Sequence, residues 1–165
     1  MRYIALLILL LLSSSTFSEE SFPSTFNTIV IEVQKEYSPD SFERKINPLF
    51  VTTVASVETA NGTFKNADTA RRAKNYTGRH AIGNEKFLLT AGGVKLKKYD
   101  SIEDSIRDFL SLMTHGRYYK EFRIAVKEGK PIEDQFKTLT KYATNPNYTD
   151  ILLDVYKKIK KGSLN

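Results

Sequence analysis

The stretch Phe87–Met113 reads FLLTAGGVKLKKYDSIEDSIRDFLSLM and holds the two kinds of element that decide the fold. In its first half, two extended runs flank Gly92–Gly93, and Val94 and Leu96 alternate with lysines, a pattern typical of a β-hairpin. In its second half, Ser101–Asp104 approximates a capping box, and apolar residues follow it at helical spacing. The stretch therefore predicts a small hairpin followed by an amphipathic helix. The residues on the core face of that helix are Ile102, Ile106, Phe109, Leu110 and Met113.

Upstream of this stretch, the sequence predicts helices that are separated by proline. Thr28–Glu36 (TIVIEVQKE) is rich in β-branched residues and fits either a strand or a short helix. Pro39–Ser41 predicts a helix start, and Asn47–Pro48 should kink that helix or divide it in two. Apolar residues three and four positions apart then form one face that runs into Glu58. They are Phe42, Ile46, Leu49, Phe50, Thr53, Val54 and Val57.

The remaining segments complete the predicted architecture. Residues 61–83 are polar and contain three glycines, which predicts irregular structure. Helices are predicted over Tyr118–Glu128, after Pro131, and after Asn147, which is placed to cap the last helix. The fold class expected from the whole chain is mainly α (α+β), a helical domain with one small β-hairpin lobe.

Composition narrows the chemistry that the chain can perform. Its 165 residues fit one domain with a substantial core. The sequence has no cysteine, which excludes a disulfide framework, a thiolate zinc site and a cysteine nucleophile. Two histidines, His80 and His115, leave little for a multi-histidine site, so we expect no metal and no cofactor. The formal charge of +6 suggests an anionic partner, such as nucleic acid, a membrane or an acidic polymer.

The first residues follow the order of a secretory signal peptide. Arg2 precedes the apolar run Ile4–Leu12, and residues 13–18 (SSSTFS) are mostly small and polar. A run of that length is too short for ~30 Å of hydrocarbon, which takes about 20 helical residues. We predict cleavage near Ser18/Glu19, with an uncleaved anchor or a buried first helix as the alternative. The cleaved segment contains Arg2 and no acidic residue, so the charge falls from +6 to +5. The expected divisions are a signal peptide at 1–18, an N-terminal segment packing on the domain at 19–40, and the main domain at 41–161.

Glu58 is the carboxylate with the most unusual sequence setting. It follows Val54, Ala55 and Val57 at the end of the apolar helix and directly precedes a glycine-containing break. A partly apolar setting raises the pKa of a carboxyl group, so the group holds a proton that it can donate to a leaving group. From position alone, an ordinary surface glutamate at a helix end is the simpler interpretation.

Several separated stretches resemble one family. Ala55–Thr63 (ASVETANGT) resembles the A-x-x-E-S-G/A-W-G-T segment of bacterial peptidoglycan glucosaminidases of glycoside hydrolase family 73. Ala70–Gly78 (ARRAKNYTG) is similar to the A-R-x-x-N-N-L-F-G loop of that family, and Tyr99–Ser105 (YDSIEDS) to its Y-D-S-x-E-E-S helix start. Arg117–Tyr118 and Tyr142–Tyr148 (YATNPNY) resemble its R-Y and Y-A-T-D-P-N-Y segments. The ordered set spans roughly residues 45–160, and the spacing fits except across the hairpin.

The resemblance implies a lysozyme-like, mainly α fold in which a small β-lobe flanks a glycan cleft, with residues 41–161 as the catalytic domain. It implies that Glu58 is the general acid, which protonates the glycosidic oxygen of the β-1,4 bond after N-acetylglucosamine. Tyr142 would lie close to that acid and to the sugar, whereas Tyr148 would pack the motif rather than touch substrate. The residues expected to bind substrate are Asn61, Asn75, Gly78 and Tyr118, of which Asn75 and Gly78 would shape the loop beneath the cleft.

The sequence departs from the family pattern at two positions and in one lobe. Asn61 replaces the family's tryptophan, and Thr77 replaces the phenylalanine of its loop. The family's second carboxylate lies in the β-lobe, where Glu85 is the only acid here, so Glu85 is the candidate; a solvated hairpin residue is the alternative. Asp68 and Asp100 are weaker candidates.

These departures leave several reactions open. Carboxyl groups about 6.5–9.5 Å apart favour inversion, and groups about 5–5.5 Å apart favour a covalent intermediate. Without a second carboxylate, the acetamido group of the substrate would assist, or the 6-hydroxyl would attack as in lytic transglycosylases. A non-catalytic glycan-binding relative is the further alternative.

The expected partner is therefore the glycan strand of peptidoglycan, an anionic wall that a basic protein would meet efficiently. We expect a periplasmic or secreted monomer with no nucleic-acid partner and no membrane span after cleavage. A flagellum, a secretion assembly and wall turnover all fit as its setting. His80 would contact a sugar or an acidic peptide stem, with an exposed loop histidine as the simpler interpretation.

Overall fold

The computed structural model describes residues 22–65 and 67–162. These residues contain eight α-helices and one two-stranded antiparallel sheet. The helices are α1 Phe22–Lys35, α2 Phe42–Lys45, α3 Pro48–Thr59, α4 Asp68–Arg72, α5 Ile102–His115, α6 Lys120–Lys127, α7 Ile132–Phe136 and α8 Tyr148–Lys160. The strands are β1 Phe87–Leu89 and β2 Lys95–Lys97, and a 3-10 turn covers Arg117–Tyr119. The predicted fold class, helical with a small hairpin lobe, is confirmed. The predicted signal peptide lies outside the described residues.

Helix α3 is the central element of the fold, and α1 and α8 pack against it. Every residue from Phe50 to Ser56 is buried, as expected of a helix covered on nearly all sides. Asn47 accepts a hydrogen bond from the backbone N–H of Leu49, and Pro48 occupies the first helical position, where its missing N–H costs nothing. The Asn47–Pro48 pair therefore divides α2 from α3, which is one of the two outcomes predicted. The covered helix holds Glu58 in its last turn.

The ambiguous stretch Thr28–Glu36 lies mostly in helix α1. The apolar residues Phe22, Phe26, Val30 and Val33 recur every three or four positions, and all four are buried. The helical spacing of these residues begins at Phe22, upstream of the β-branched stretch Thr28–Glu36. That stretch alone therefore does not distinguish a helix from a strand. Tertiary packing of the apolar face against α3 then outweighs the modest helix propensity of the β-branched residues.

The hairpin lobe forms where the sequence predicts it. Strands β1 and β2 are antiparallel, with Leu88 opposite Leu96. A third segment pairs with the other edge of β2: His80 forms a bridge with Leu96, and the N–H of Lys97 donates to the carbonyl of Arg79 at 3.0 Å. Residues 61–83 are therefore less irregular than expected, because they contain α4 and this added strand-like segment. The lobe is thereby joined directly to the loop that follows α4.

The C-terminal half consists of α5 to α8, and its helix starts follow the predicted positions. Ser101 accepts a hydrogen bond from the N–H of Asp104 at 3.1 Å, which caps α5. Pro131 directly precedes α7, and Asn147 directly precedes α8, although the Asn147 side chain makes no capping hydrogen bond. Within the described residues, no helix has the length and apolar character needed to cross a membrane.

Candidate active site

Glu58 lies in the last turn of α3, where a tight left-handed turn ends the helix. Ala60, Asn61 and Gly62 all have positive φ, at 49°, 58° and 81°. A Cβ atom on Gly62 would lie 2.2 Å from the ring of Phe22 in α1, so only glycine fits there. The chain therefore turns away abruptly after Glu58 and leaves its carboxyl group at the helix end.

The loop around Gly78 closes one side of the Glu58 carboxyl group. Gly78 has φ of +67°, and a Cβ atom at this position would lie 2.3 Å from Oε2 of Glu58. Only glycine allows the backbone to approach the carboxyl group so closely. The loop backbone thus lies directly against one carboxyl oxygen of Glu58, Oε2.

Tyr148, the first residue of α8, binds the other carboxyl oxygen. Its hydroxyl donates a hydrogen bond of 2.7 Å to Oε1 of Glu58. Burial raises the pKa of Glu58, whereas the hydrogen bond from Tyr148 and the electrostatic effect of His80 lower it, and burial prevails. The Glu58 carboxyl group therefore keeps its proton to a higher pH than an ordinary glutamate, as a general acid requires.

Tyr142 connects the Gly78 loop to the tyrosine that binds Glu58. Its ring stacks on that of Tyr148, with ring centroids 5.8 Å apart, and its hydroxyl donates to the carbonyl oxygen of Thr77. Burial, and after it the charge of Glu58, raise the pKa of Tyr142. Tyr142 therefore lies beside the acid, and among the described residues its hydroxyl bonds to the loop rather than to Glu58.

Asn75 fixes the shape of the Gly78 loop. Its Nδ2 donates to the carbonyl oxygens of Arg79 at 2.7 Å and Lys97 at 2.9 Å, and its Oδ1 accepts from the N–H of Arg79 at 3.0 Å. Asn75 is fully buried and both of its amide hydrogens are used within the protein. In this arrangement, Asn75 acts on the site through the backbone of the loop.

Glu85 lies in the hairpin lobe, and both of its carboxyl oxygens accept hydrogen bonds. Oε1 is 2.6 Å from Nζ of Lys97, and Oε2 accepts from the N–H of Ile82 at 2.9 Å. Burial would raise the pKa of Glu85, but the hydrogen bonds from Lys97 and Ile82 outweigh it and hold the pKa below the usual value. Glu85 is therefore ionised over a range in which Glu58 is still protonated.

The other predicted site residues differ in their surroundings. Asn61 has a buried Oδ1 atom with no hydrogen-bond partner among the described residues. Tyr118 is 57% exposed, and the guanidinium of Arg117 stacks on its ring at 4.5 Å. Asp68 pairs with Arg71, its neighbour on the surface of α4, and Asp100 is exposed. The structure therefore brings together Glu58, Gly78 and Tyr142, with Asn75 behind the loop, and shows Tyr118, Asp68 and Asp100 in surface positions.

Two features of the site were not predicted from the sequence. Tyr148 was expected only to pack its motif, yet it is the hydrogen-bond donor to Glu58. Asp108 of α5 was not singled out, yet it accepts hydrogen bonds from Arg79, Lys97 and Tyr99. The Tyr142–Tyr148 motif is a sequence signal that points to Tyr148. An aspartate within an amphipathic helix gives no comparable signal for Asp108.

Comparison with known proteins places this geometry in context. A family model named Glucosaminidase and described as mannosyl-glycoprotein endo-beta-N-acetylglucosaminidase matches residues 34–161. No curated protein sequence matches the chain.

Three solved structures are similar in fold. One is the catalytic domain of the autolysin Auto from Listeria monocytogenes, with a TM-score of 0.63 and 17% identity over 92% of this chain and 90% of that chain. A truncated glycoside hydrolase domain of FlgJ from Salmonella typhimurium has a TM-score of 0.62 and 18% identity over 87% and 99%. A type VI secretion system effector–immunity complex from Pseudomonas protegens contains a chain with a TM-score of 0.60 and 18% identity over 88% and 93%.

Proposed function

The chain belongs to the glucosaminidase family of glycoside hydrolases, and we propose from this membership that it cleaves the β-1,4 bond after N-acetylglucosamine in peptidoglycan glycan strands. The observation that carries the proposal is the Glu58 carboxyl group, which is half-buried at a helix end between the Gly78 backbone and the Tyr148 hydroxyl. A carboxyl group with a raised pKa is the acid that glycoside hydrolysis requires at the leaving-group oxygen.

Glu58 acts as the general acid in this proposal. Because Oε1 accepts the hydrogen bond from Tyr148, Oε2 is the oxygen that carries the acidic proton. Oε2 transfers that proton to the glycosidic oxygen as the bond to the anomeric carbon breaks. The leaving strand departs as an alcohol, and positive charge develops on the sugar that remains.

Glu85 acts as the second carboxylate. The environments of the two glutamates push their pKa values in opposite directions, upward for Glu58 and downward for Glu85. This separation supports the acid role for Glu58 and the ionised role for Glu85. Glu85 would activate a water molecule or stabilise the developing cation. Both carboxyl oxygens of Glu85 already accept hydrogen bonds, from Lys97 and from Ile82, and this observation favours a second candidate mechanism. In that mechanism Glu58 is the only catalytic carboxyl group, and the acetamido group or the 6-hydroxyl of the substrate attacks.

The setting of the reaction is part of the proposal. The signal-peptide pattern at residues 1–18 supports export, and a net charge of +5 after cleavage supports encounter with the anionic wall. We propose a periplasmic or secreted monomer that serves wall turnover, a flagellum or a secretion assembly. Similarity to a chain of a type VI secretion system effector–immunity complex supports the last of these settings.

Mass spectrometry of peptidoglycan digested with the purified protein tests the reaction. Reducing N-acetylglucosamine ends support hydrolysis at the proposed bond. Ends with 1,6-anhydromuramic acid would replace hydrolysis with the transglycosylase reaction, and reducing N-acetylmuramic acid ends would move the cut to the other bond. Unchanged peptidoglycan, obtained with folded protein, would contradict the proposed function.

A further inference from the structure

Asp108, in the middle of α5, collects three hydrogen-bond donors from the hairpin lobe. Its Oδ2 accepts from Nε of Arg79 at 2.8 Å and from the hydroxyl of Tyr99 at 2.8 Å, and its Oδ1 is 2.6 Å from Nζ of Lys97. The Asp108 side chain is only 20% exposed. Charge-assisted hydrogen bonds of this kind are about twice as strong as neutral ones, so this carboxylate is a strong anchor.

The three donors come from three different segments in and around the lobe. Arg79 lies in the loop before it, Lys97 in β2, and Tyr99 in the connection to α5. Lys97 also bonds Glu85, so the anchor reaches the lobe's only acidic residue between Gly78 and Tyr99. One carboxylate on a rigid helix therefore fixes both ends of the lobe.

The anchor continues through the loop to Glu58. Arg79 directly follows Gly78, the residue whose backbone presses against Oε2 of Glu58, and Asn75 clamps the N–H and the carbonyl of Arg79. Because the side chain and the backbone of Arg79 are both held, Gly78 has little freedom to withdraw from Glu58.

We propose that Asp108 is a positioning residue, which holds the hairpin lobe and the Gly78 loop against Glu58 through Arg79 and Lys97 and so keeps water away from the Glu58 carboxyl group. This inference rests on the proposed function, in which Glu58 is the acid. It also deepens that function, because the same anchor fixes the lobe that carries Glu85.

The charges around Asp108 explain why its loss would open the site. Arg79 and Lys97 face it as cations, Tyr99 faces it as a neutral donor, and Glu85 lies beyond Lys97. Without the Asp108 charge, Lys97 would keep its contact with Glu85, whereas Arg79 would lose the carboxylate that it pairs with, and the two cations would repel each other. The groups that face Glu58 itself, Tyr148, Tyr142 and His80, would be chemically unchanged.

The test measures the titration of Glu58 directly, by ¹³C NMR of carboxyl-labelled glutamate in the full-length protein, with the signal assigned from Glu58→Gln. In Asp108→Asn we expect the Glu58 midpoint to fall towards that of an ordinary glutamate, because water reaches the carboxyl group. We also expect kcat to fall by about 10- to 100-fold, with a smaller change in KM, as displaced catalytic groups do.

Matched variants separate positioning from general damage. Asp104→Asn, one turn earlier on α5 and paired with Arg107, should leave the Glu58 midpoint unchanged. Asp108→Glu, which keeps the charge, should restore part of the shift. If Asp108→Asn does not fold, Arg79→Met decides, because it cuts the link to the loop and leaves Asp108 bonded to Lys97 and Tyr99.

A folded Asp108→Asn protein, or failing that Arg79→Met, with the wild-type Glu58 midpoint would overturn the inference. The proposed function fails separately: if the wild-type protein releases no products but the Glu58 midpoint still falls in Asp108→Asn, the positioning role stands and the reaction does not. Active wild-type protein with no shift in the variant overturns the inference alone.

Discussion

The Tyr148 hydroxyl donates a hydrogen bond of 2.7 Å to Oε1 of Glu58, a residue 90 positions earlier in the chain. The bond joins the start of α8 to the end of α3, two helices that pack against each other in the core. It fixes the orientation of a half-buried carboxyl group and leaves Oε2 as the oxygen that can carry a proton.

Tyr148→Phe should raise the pKa of Glu58 further. The hydrogen bond stabilises the ionised carboxylate, so its loss favours the protonated form while burial still acts. The alkaline limb of the pH profile of kcat/KM should therefore move to higher pH. We also expect kcat to fall by about tenfold, equivalent to ~1.4 kcal/mol, because the acid loses its orientation.

The pH profile of peptidoglycan hydrolysis provides the measurement for this variant. Tyr156→Phe, at a buried position two turns further along α8, serves as the control and should keep the wild-type profile. An alkaline limb that stays in place or moves to lower pH would contradict the role given to Tyr148.

Gly78→Ala should reduce both stability and activity. The added Cβ would lie 2.3 Å from Oε2 of Glu58, and a non-glycine residue at φ of +67° costs about 1–2 kcal/mol. For a domain of this size, each kcal/mol lowers Tm by about 2–4 °C. Gly83→Ala is a matched control, because φ is +58° there and nothing lies within 4 Å of the added Cβ.

Calorimetry should show a loss of stability in both variants, whereas the activity assay should show a loss only in Gly78→Ala. Equal activities in the two folded variants would refute the close approach to Glu58.

Glu85→Gln should lower kcat by about 100-fold if Glu85 is the ionised partner of Glu58, a typical contribution for a positioned acid–base group. The steady-state rate on purified peptidoglycan measures this effect. Glu128→Gln, which removes an exposed glutamate paired with Lys130, should have no effect. An unchanged kcat in Glu85→Gln would assign the attack to a group of the substrate itself.

Glu58→Gln should stabilise the folded protein above neutral pH. The pKa of Glu58 is raised on folding, so the folded state binds the proton more tightly than the unfolded state does. Stability from this group is therefore fully present below the unfolded pKa of about 4.3 and is lost as pH rises through the folded pKa. Glutamine does not ionise and escapes this loss. Thermal unfolding should show a higher Tm for Glu58→Gln than for the wild type at pH 8. The part of this Tm difference that comes from ionisation of Glu58 should disappear below about pH 4. A pH-independent difference would argue that Glu58 titrates normally.

Much of the fold follows from local patterns in the sequence. The capping signal at Ser101, the glycine pair of the hairpin and Asn47–Pro48 each act within a few residues, so each predicts its element correctly. The β-branched run alone does not distinguish a helix from a strand for α1, because the helical period begins upstream at Phe22 and packing on α3 outweighs propensity.

The site is less predictable, because its contacts are distant in sequence. The position of Glu58 at the end of an apolar helix is equally open to an ordinary surface glutamate, and it is the family resemblance that selects Glu58 as the acid. The bond from Tyr148 and the approach of Gly78 depend on how α8 and the loop pack, which no local pattern encodes. Asp108 has an ordinary place on an amphipathic helix, and only the folded lobe supplies its three partners.

The central claim is that Glu58 donates the proton, and the most direct measurement is the rate at which reducing N-acetylglucosamine ends appear in purified peptidoglycan. We compare Glu58→Gln with Glu43→Gln, which alters a buried glutamate of α2 whose carboxyl group faces His115 at 3.8 Å. Removal of a general acid should lower the rate of Glu58→Gln by about 10²- to 10⁴-fold, while the folded protein still binds the wall and Glu43→Gln stays active. Folded Glu58→Gln protein that releases these ends at the wild-type rate would contradict the account.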